Sequence, residues 1–257
     1  MLNGTYAAIF CDLDGCLISG DRVLPGALEF VEQAGTRLFI LSNNSTDTPE
    51  TMSRRLSGMG IEVPATRILL AGAAAVERIA AAYPDTRVAL YGSAALKRYA
   101  EELSLTIDFD APEVILLTRD ITFSYEKLAM ILHQTANGAR LVVSNPDHSH
   151  PGPDGTPVPE TGALLEAIIA CQPHQPFETV GKPEAPLFDA ALSKAGVDAG
   201  DAILIGDNPD TDGVGADRAG MAFRQVEPGA LSAGLLALTA RPDSCAPLEA
   251  SRCGEER

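Results

Sequence analysis

The sequence of 257 residues lacks an apolar run long enough to cross a membrane, which takes about 18 consecutive apolar residues. Its first residues also lack a basic region followed by an apolar stretch and a small-residue cleavage site, so no secretory signal is indicated. We therefore expect a soluble, cytoplasmic protein that has no membrane as partner.

Basic residues are scarce: 19 lysines and arginines stand against 35 acids, for a formal net charge of −16. Nucleic acids and anionic membranes are bound by basic patches, so this balance disfavours both as partners. An anionic substrate would need a local cluster of metal ion, lysine and backbone amides. Such a cluster can overcome the overall negative field because salt screens distant charges.

Cysteines are few, and they form no close Cys-x-x-Cys pair: they lie at positions 11, 16, 171, 245 and 253. This odd number and wide spacing argue against a disulfide framework or a zinc site. We interpret Cys11 and Cys16 as small buried hydrophobes, with oxidation-sensitive thiols as the alternative.

Strand-like and helix-like segments alternate along the chain, a pattern typical of parallel βαβ units. We predict an α/β fold with a Rossmann-like parallel-sheet core over residues 1–83 and 179–257. A second α/β domain over residues 84–178 is inserted into this core, after the break at Tyr83-Pro84-Asp85. The chain shows no internal repeat or low-complexity tract.

The predicted elements follow from apolar runs and from glycine and proline boundaries. Predicted strands cover 6–11, 36–41, 68–70, 87–91, 112–117, 140–143 and 202–205. Predicted helices begin at 25 and 161 and cover 49–58, 72–82, 93–103, 124–136 and 186–195. Residues 145–159 are expected to form an irregular loop, the core to resume at 180–183, and the tail from about 242 to be frayed.

An apolar run near the N-terminus ends in Asp12-Leu13-Asp14-Gly15, which indicates a buried strand that carries two carboxylates to the ligand-binding edge of a sheet. Two neighbouring like charges need a cation to stay ionised together. With Mg²⁺, Asp12 can act as a nucleophile and Asp14 can transfer protons. The alternative for Asp-x-Asp-Gly alone is a solvated turn.

The second predicted strand ends in Ser42-Asn43-Asn44, a hydroxyl with exposed backbone amides that suits phosphate oxygens. An ordinary capping turn before the helix at 49 is the alternative.

Two later segments add charge to this edge. Lys182 lies between Gly181 and Pro183, and a phosphate close to two carboxylates needs such a cation, although a lone lysine is usually a surface charge. Asp207 follows the strand at 202–205 and is a candidate metal ligand. Asp212 is a candidate for orienting Lys182 or a metal-bound water. Asp210 is interpreted as a loop or cap residue.

Four segments follow one another along the chain: Asp12-Leu13-Asp14-Gly15, Ser42-Asn43-Asn44, Gly181-Lys182-Pro183, and Asp207 with Asp212. Their residues and their order resemble the motifs of the haloacid dehalogenase-like superfamily of phosphohydrolases. The insertion between Ser42 and Lys182, together with Asn145-Pro146-Asp147 before a helix, looks like the class IIA subfamily of p-nitrophenyl phosphatase-like, nucleotide, phosphoglycolate and pyridoxal phosphatases. The resemblance implies that the inserted domain is a cap that closes over a small-molecule phosphate ester.

The resemblance also implies roles for individual residues. Asp12 would form an aspartyl-phosphate, Asp14 would be the acid/base, and Lys182 would stabilise the charge of transfer. Mg²⁺ would be held by the carboxylates of Asp12 and Asp207 and the main-chain carbonyl of Asp14. The phosphate- and substrate-binding candidates are Gly15, Ser42, Asn43, Asn44, Lys182, Asn145 and Asp147.

Some features do not follow the family pattern. Cys16 stands where the family usually has threonine, which can change loop geometry or rate. His148 and His150, in the cap loop expected to face the leaving group, are interpreted as exposed polar residues, and Arg119-Asp120, at the end of a cap strand, is a further substrate-contact candidate.

Two other functions stay open on the sequence alone: a phosphotransferase that uses the same intermediate, and a catalytically silent metabolite-binding module. The second would be expected to lack Asp12 or Asp14. A homodimer through the cap is expected only by analogy with the subfamily.

Overall fold

Two five-stranded parallel sheets organise the chain in this computed structural model, which describes residues 6–152 and 155–231. The strands of the first sheet are β1 (Ala8–Cys11), β4 (Leu38–Ser42), β5 (Ile68–Leu70), β13 (Ala202–Gly206) and β14 (Ala222–Gln225). They lie in the order β14-β13-β1-β4-β5. The strands of the second sheet are β6 (Arg87–Tyr91), β7 (Thr106–Ile107), β8 (Val114–Leu117), β9 (Arg140–Val143) and β12 (Phe177–Thr179). They lie in the order β12-β9-β8-β6-β7.

The central strands of both sheets are buried along their whole length. In β1 the residues Ala8, Ile9, Phe10 and Cys11 are all buried, as expected where helices cover both faces of a parallel sheet. The chain leaves the first sheet after β5 and returns to it at β13, so the second sheet is built from the intervening residues. The α/β fold with a Rossmann-like core and an inserted α/β cap is therefore confirmed, whereas the domain boundaries stay a prediction.

Eight α-helices connect these strands in the described ranges. They are α1 (Ala27–Ala34), α2 (Pro49–Gly58), α3 (Ala71–Ala82), α4 (Ala94–Glu102), α5 (Tyr125–Ala136), α6 (Thr161–Cys171), α7 (Ala185–Ala195) and α8 (Val214–Ala219). Helix α2 has the predicted bounds: Pro49 occupies its first turn, and the Thr48 side chain accepts from the backbone N–H of Thr51.

Three sequence expectations were wrong or incomplete. The region 145–159 is not wholly irregular, because β10 (Ser149–Pro151) and β11 (Pro157–Pro159) pair as an antiparallel hairpin. No strand was predicted at 177–179, where β12 pairs with β9 in the second sheet. Strand β14, helix α8 and the small hairpin of β2 (Ile18–Ser19) and β3 (Arg22–Val23) were not predicted. The tail expected to be frayed from about 242 lies outside the described residues.

Candidate active site

Three adjacent strands of the core sheet deliver polar side chains to the same edge. Asp12 directly follows β1, Ser42 ends β4, and Asp207 directly follows β13. Because β13, β1 and β4 are neighbours and parallel, their carboxyl ends meet, as expected for a ligand site in an α/β sheet.

Lys182 reaches this edge from the segment that precedes α7. Its Nζ atom lies 2.6 Å from Asp12 Oδ1 and 2.6 Å from Asp212 Oδ1. Its side chain is only 3% exposed, so it is not a surface charge. Burial opposes the charged form, but the two carboxylates raise the pKa of Lys182 above its ordinary value and hold it as a cation.

Asp212 is fully buried, and its carboxylate packs against the backbone of Gly206. A Cβ atom at Gly206 would lie 2.2 Å from Asp212 Oδ2, so a larger residue would displace this carboxylate. The predicted link between Asp212 and Lys182 is thus a direct ion pair. Asp210 and Asp212 belong to a short π-helical turn, Pro209–Gly213. Asp210 is exposed, and its backbone N–H donates to Oδ1 of the capping residue Asn208.

A divalent cation fits between Asp12 and Asp207. Ligand atoms of Asp12, Cys16 and Asp207 all lie within 4.8 Å of one another. Gly15 has φ +84°, and a Cβ there would lie 2.2 Å from Asp207 Oδ2, so glycine lets the Asp207 carboxylate approach the backbone of the Asp12-Leu13-Asp14-Gly15 segment. Burial and the charge of Asp12 raise the pKa of Asp207, a cost that a bound cation would relieve. Carboxylate oxygens are the ligands that Mg²⁺ prefers.

The two cysteines near the N-terminus, Cys11 and Cys16, are buried. A hydrogen bond with Cys11 and burial raise the pKa of Cys16 far above its ordinary value, so the thiol stays protonated. Its sulfur lies beside the carboxylates but is a poor donor for a hard cation.

Asp14 combines partial solvent access with a raised pKa. Protein atoms surround its carboxyl group closely enough that desolvation, followed by the charge of Asp12, raises its pKa to about 6. A carboxyl group with this pKa gives up and recovers a proton readily near neutral pH, which suits general acid/base catalysis.

Asn43 connects the core to the cap. Its Oδ1 accepts from the backbone N–H of Lys182 at 2.7 Å. Its Nδ2 donates to the carbonyl of Lys182 and to Asp147 Oδ2, each at 3.0 Å. The fully buried Asn145 donates from Nδ2 to the carbonyl of Asn43 at 2.9 Å. These amide side chains hold the lysine segment and the cap loop in place, and their contact with substrate stays a prediction.

The side chains of Ser42 and Asn44, on either side of Asn43, make local hydrogen bonds. Ser42 Oγ accepts from the backbone N–H of Asn44, and Asn44 Oδ1 accepts from the N–H groups of Thr46 and Asp47. These hydrogen bonds form the turn that was predicted as the alternative for this segment. The turn leaves Ser42 at the same sheet edge as Asp12, so the bonds are also compatible with phosphate binding by the segment.

The cap contributes a cluster of ionisable side chains that the sequence indicated only in part. His150 Nδ1 lies 2.7 Å from Glu160 Oε1, and Arg119 Nε lies 3.5 Å from the same oxygen. Glu160 was not among the predicted residues, since a glutamate before a helix carries no distinguishing sequence signal. His148 is mostly exposed and lies 3.6 Å from Glu166.

Comparisons with known proteins agree with this geometry. Residues 9–106 match a family model described as haloacid dehalogenase-like hydrolase, and residues 179–248 match a second one described as HAD-hydrolase-like. The chain is 28% identical to a dihydroxyacetone phosphatase of Corynebacterium glutamicum over 85% of this chain and 80% of that one. It is 29% identical to an acid sugar phosphatase of Staphylococcus aureus over 87% of each.

Solved structures give the same result. A p-nitrophenyl phosphatase from Archaeoglobus fulgidus superimposes with a TM-score of 0.83 at 28% identity, over 91% of each chain. The chain belongs to the haloacid dehalogenase-like hydrolases and is a class IIA phosphatase of that superfamily. In the described residues, no helix combines the length and the apolar character that a membrane span requires.

Proposed function

We propose that this chain is a Mg²⁺-dependent phosphatase that hydrolyses a phosphate monoester of a small metabolite through a covalent aspartyl-phosphate on Asp12. The observation that supports it most strongly is the convergence of Asp12, Asp207 and Lys182 at one sheet edge. Mg²⁺ bound by the carboxylates of Asp12 and Asp207 would offset the negative charges of the nucleophile and the phosphoryl group.

In the first step a carboxylate oxygen of Asp12 attacks phosphorus, and the bond between phosphorus and the leaving oxygen breaks. Asp14 donates its proton to that oxygen, which departs as an alcohol. Lys182 uses two of its three N–H donors on Asp12 and Asp212, so the third is available for a phosphoryl oxygen, along with the Ser42 hydroxyl.

In the second step the now deprotonated Asp14 takes a proton from a water molecule, whose oxygen attacks phosphorus. The bond between Asp12 and phosphorus breaks, which releases inorganic phosphate and restores the Asp12 carboxylate. A carboxyl group of pKa about 6 can serve both steps in turn.

Removal of metal is expected to stop turnover. Protein treated with EDTA should release nitrophenol from p-nitrophenyl phosphate only at the background rate, and excess Mg²⁺ should restore activity, because Asp12 and Asp207 then regain their counter-ion. Protein carried through the same treatment with Mg²⁺ in excess is the control. Full activity of the chelated protein would contradict the proposed metal dependence.

The Asp14→Asn variant is expected to lose about 10²–10⁴-fold in steady-state turnover, the usual contribution of a general acid/base. Nitrophenolate departs without a proton, so the loss in the first step should be smaller with p-nitrophenyl phosphate than with glycerol phosphate. Stopped-flow measurement should then show a burst of nitrophenol followed by slow turnover. An equal loss in the first step for both esters would exclude Asp14 as the acid.

A further inference from the structure

The hairpin of β2 and β3 directly follows the Asp12-Leu13-Asp14-Gly15 segment and is called here the Asp14 hairpin. Asp14 forms an isolated β-bridge with Ile18, the first residue of β2. The backbone N–H of Gly15 donates to the Ile18 carbonyl at 2.8 Å. The position of the Asp14 backbone is therefore tied to the position of this hairpin.

The Asp14 hairpin is buried at its base and exposed at its tip. Leu17 and Ile18 are fully buried, whereas the two residues between the strands, Gly20 and Asp21, are exposed. A hairpin of two strands is only marginally stable by itself in water. Its tip therefore needs a contact with another element to stay in one position.

Arg55 of helix α2 provides such a contact. Its Nη2 donates to the Gly20 carbonyl at 2.8 Å and to Asp21 Oδ1 at 2.9 Å, and its Nε donates to the same Oδ1 at 3.2 Å. The guanidinium group is rigid and planar, so bonds from two of its nitrogens fix the direction of the contact as well as its length.

Helix α2 is a well-packed support for Arg55. The helix begins at Pro49, shortly after the Ser42-Asn43-Asn44 segment, and Met52 and Leu56 on either side of Arg55 are fully buried. Arg55 thus connects the helix that follows one catalytic segment to the hairpin that follows another.

The charge of Arg55 also acts on Asp14. Burial and the charge of Asp12 raise the pKa of Asp14, and Arg55 has the largest opposing effect among the nearby cations, ahead of His150 and Lys182. The guanidinium group is therefore close to the Asp14 carboxyl group as well as bonded to the hairpin tip.

We propose that Arg55 is a positioning residue for proton transfer: by holding the tip of the Asp14 hairpin against α2, it keeps the Asp14 carboxyl group in place for the leaving oxygen and for the attacking water. This inference rests on the proposed phosphatase function and adds to it a residue that acts through Asp14.

The contact is suited to a catalytic test because it contributes little to the stability of the fold. The side chains of Arg55 and Asp21 are 33% and 90% exposed, and exposed ion pairs stabilise proteins only slightly. Removal of the contact should therefore change catalysis while the unfolding transition in urea stays close to that of wild type.

The test is a double-mutant cycle between Arg55→Met and Asp14→Asn, measured as kcat and KM for glycerol phosphate with Mg²⁺. Arg55→Met alone should lower kcat about 10-fold or more and change KM less than about twofold, because a displaced acid/base slows the chemical steps and leaves phosphate binding in place. In the Asp14→Asn protein the same replacement should cause no further loss. The same loss in both backgrounds would overturn the proposal, because Arg55 would then act independently of Asp14.

The leaving group provides a second readout. Nitrophenolate departs without a proton, so Arg55→Met should keep the rate of the nitrophenol burst close to wild type with p-nitrophenyl phosphate, while the steady-state rate after the burst falls. A burst slowed as strongly as kcat for glycerol phosphate would indicate general disruption of the site and would also overturn the proposal.

Two further variants control for loss of charge and for the side of the contact that is changed. Arg54→Met removes the neighbouring arginine of α2, which is exposed and donates from Nε to the Glu50 carbonyl of its own helix, and it should keep wild-type kcat. Asp21→Ala should give a smaller loss of the same kind as Arg55→Met, because the bond to the Gly20 carbonyl remains. Wild-type kcat in Asp21→Ala, or an equal loss in Arg54→Met, would count against the proposal.

Failure of this inference differs from failure of the proposed function. Wild type without phosphatase activity, or Asp14→Asn with wild-type turnover, would refute the proposed function. An impaired Asp14→Asn protein together with wild-type kcat in Arg55→Met would refute only the role of Arg55.

Discussion

Replacement of Asp12 by asparagine is expected to reduce turnover of p-nitrophenyl phosphate by at least about 10⁴-fold. The amide is a poor nucleophile and a weaker metal ligand than the carboxylate, so both proposed contributions of Asp12 are lost together. Asp12 Oδ1 also lies 2.6 Å from Lys182 Nζ, so the variant removes one of the two carboxylates that balance the charge of Lys182. Steady-state kinetics and a stopped-flow search for a nitrophenol burst provide the measurement, and no burst is expected.

The matched control is Asp210→Asn, which removes the same charge from an exposed position in the π-helical turn after β13. It should keep wild-type activity to within about twofold, as is typical of an exposed substitution that costs under about 0.5 kcal/mol. An active Asp12→Asn protein, with a burst like that of wild type, would assign the nucleophile to another residue.

Replacement of Lys182 by methionine is expected to lower both activity and stability. Its charge lies between two buried carboxylates, so its loss leaves Asp12 and Asp212 without their shared partner. Breaking a buried ion pair on one side costs about 3–5 kcal/mol in the free energy of unfolding. The loss of a preorganised cation should lower kcat by about 10²–10³-fold. Denaturant unfolding and kinetics with p-nitrophenyl phosphate measure the two effects.

Two further variants identify the origin of the stability loss. The double variant Lys182→Met with Asp212→Asn should recover part of the free energy of unfolding but none of the activity, because one uncompensated buried charge is removed as well. Lys194→Met, at an exposed position in α7, is the control for loss of a lysine charge and should stay close to wild type. A Lys182→Met protein as stable as this control would show that the buried charges do not depend on Lys182.

The polar residues at the sheet edge were predictable because each of them lies at the end of a strand that a short stretch of sequence already indicates. Asp12, Ser42 and Asp207 each follow or end an apolar run, and parallel strands bring such ends together. The bounds of α2 were predictable for the same reason, since Pro49 and the Thr48 cap act within a few residues.

The links between segments were not predictable from one sequence. Asn43 bonds to Asp147, 104 residues away, and to Lys182, 139 residues away, and nothing in the local pattern distinguishes it from any asparagine in a turn. The hairpin of β10 and β11 was missed because Pro151, Pro157 and Pro159 argue against strands. Proline is tolerated here because the hairpin is a separate two-stranded sheet with exposed edges.

The central claim is a covalent phosphoryl group on Asp12, and it is tested most directly by trapping that species. Wild type and Asp14→Asn are mixed with p-nitrophenyl phosphate and Mg²⁺, quenched in acid within the first turnover, digested and examined by mass spectrometry. The peptide that contains Asp12 should be heavier by one phosphoryl group, more abundantly in Asp14→Asn because its second step is slow. Turnover at the wild-type rate with no phosphorylated peptide in either protein, or with the group on a different residue, would contradict the account.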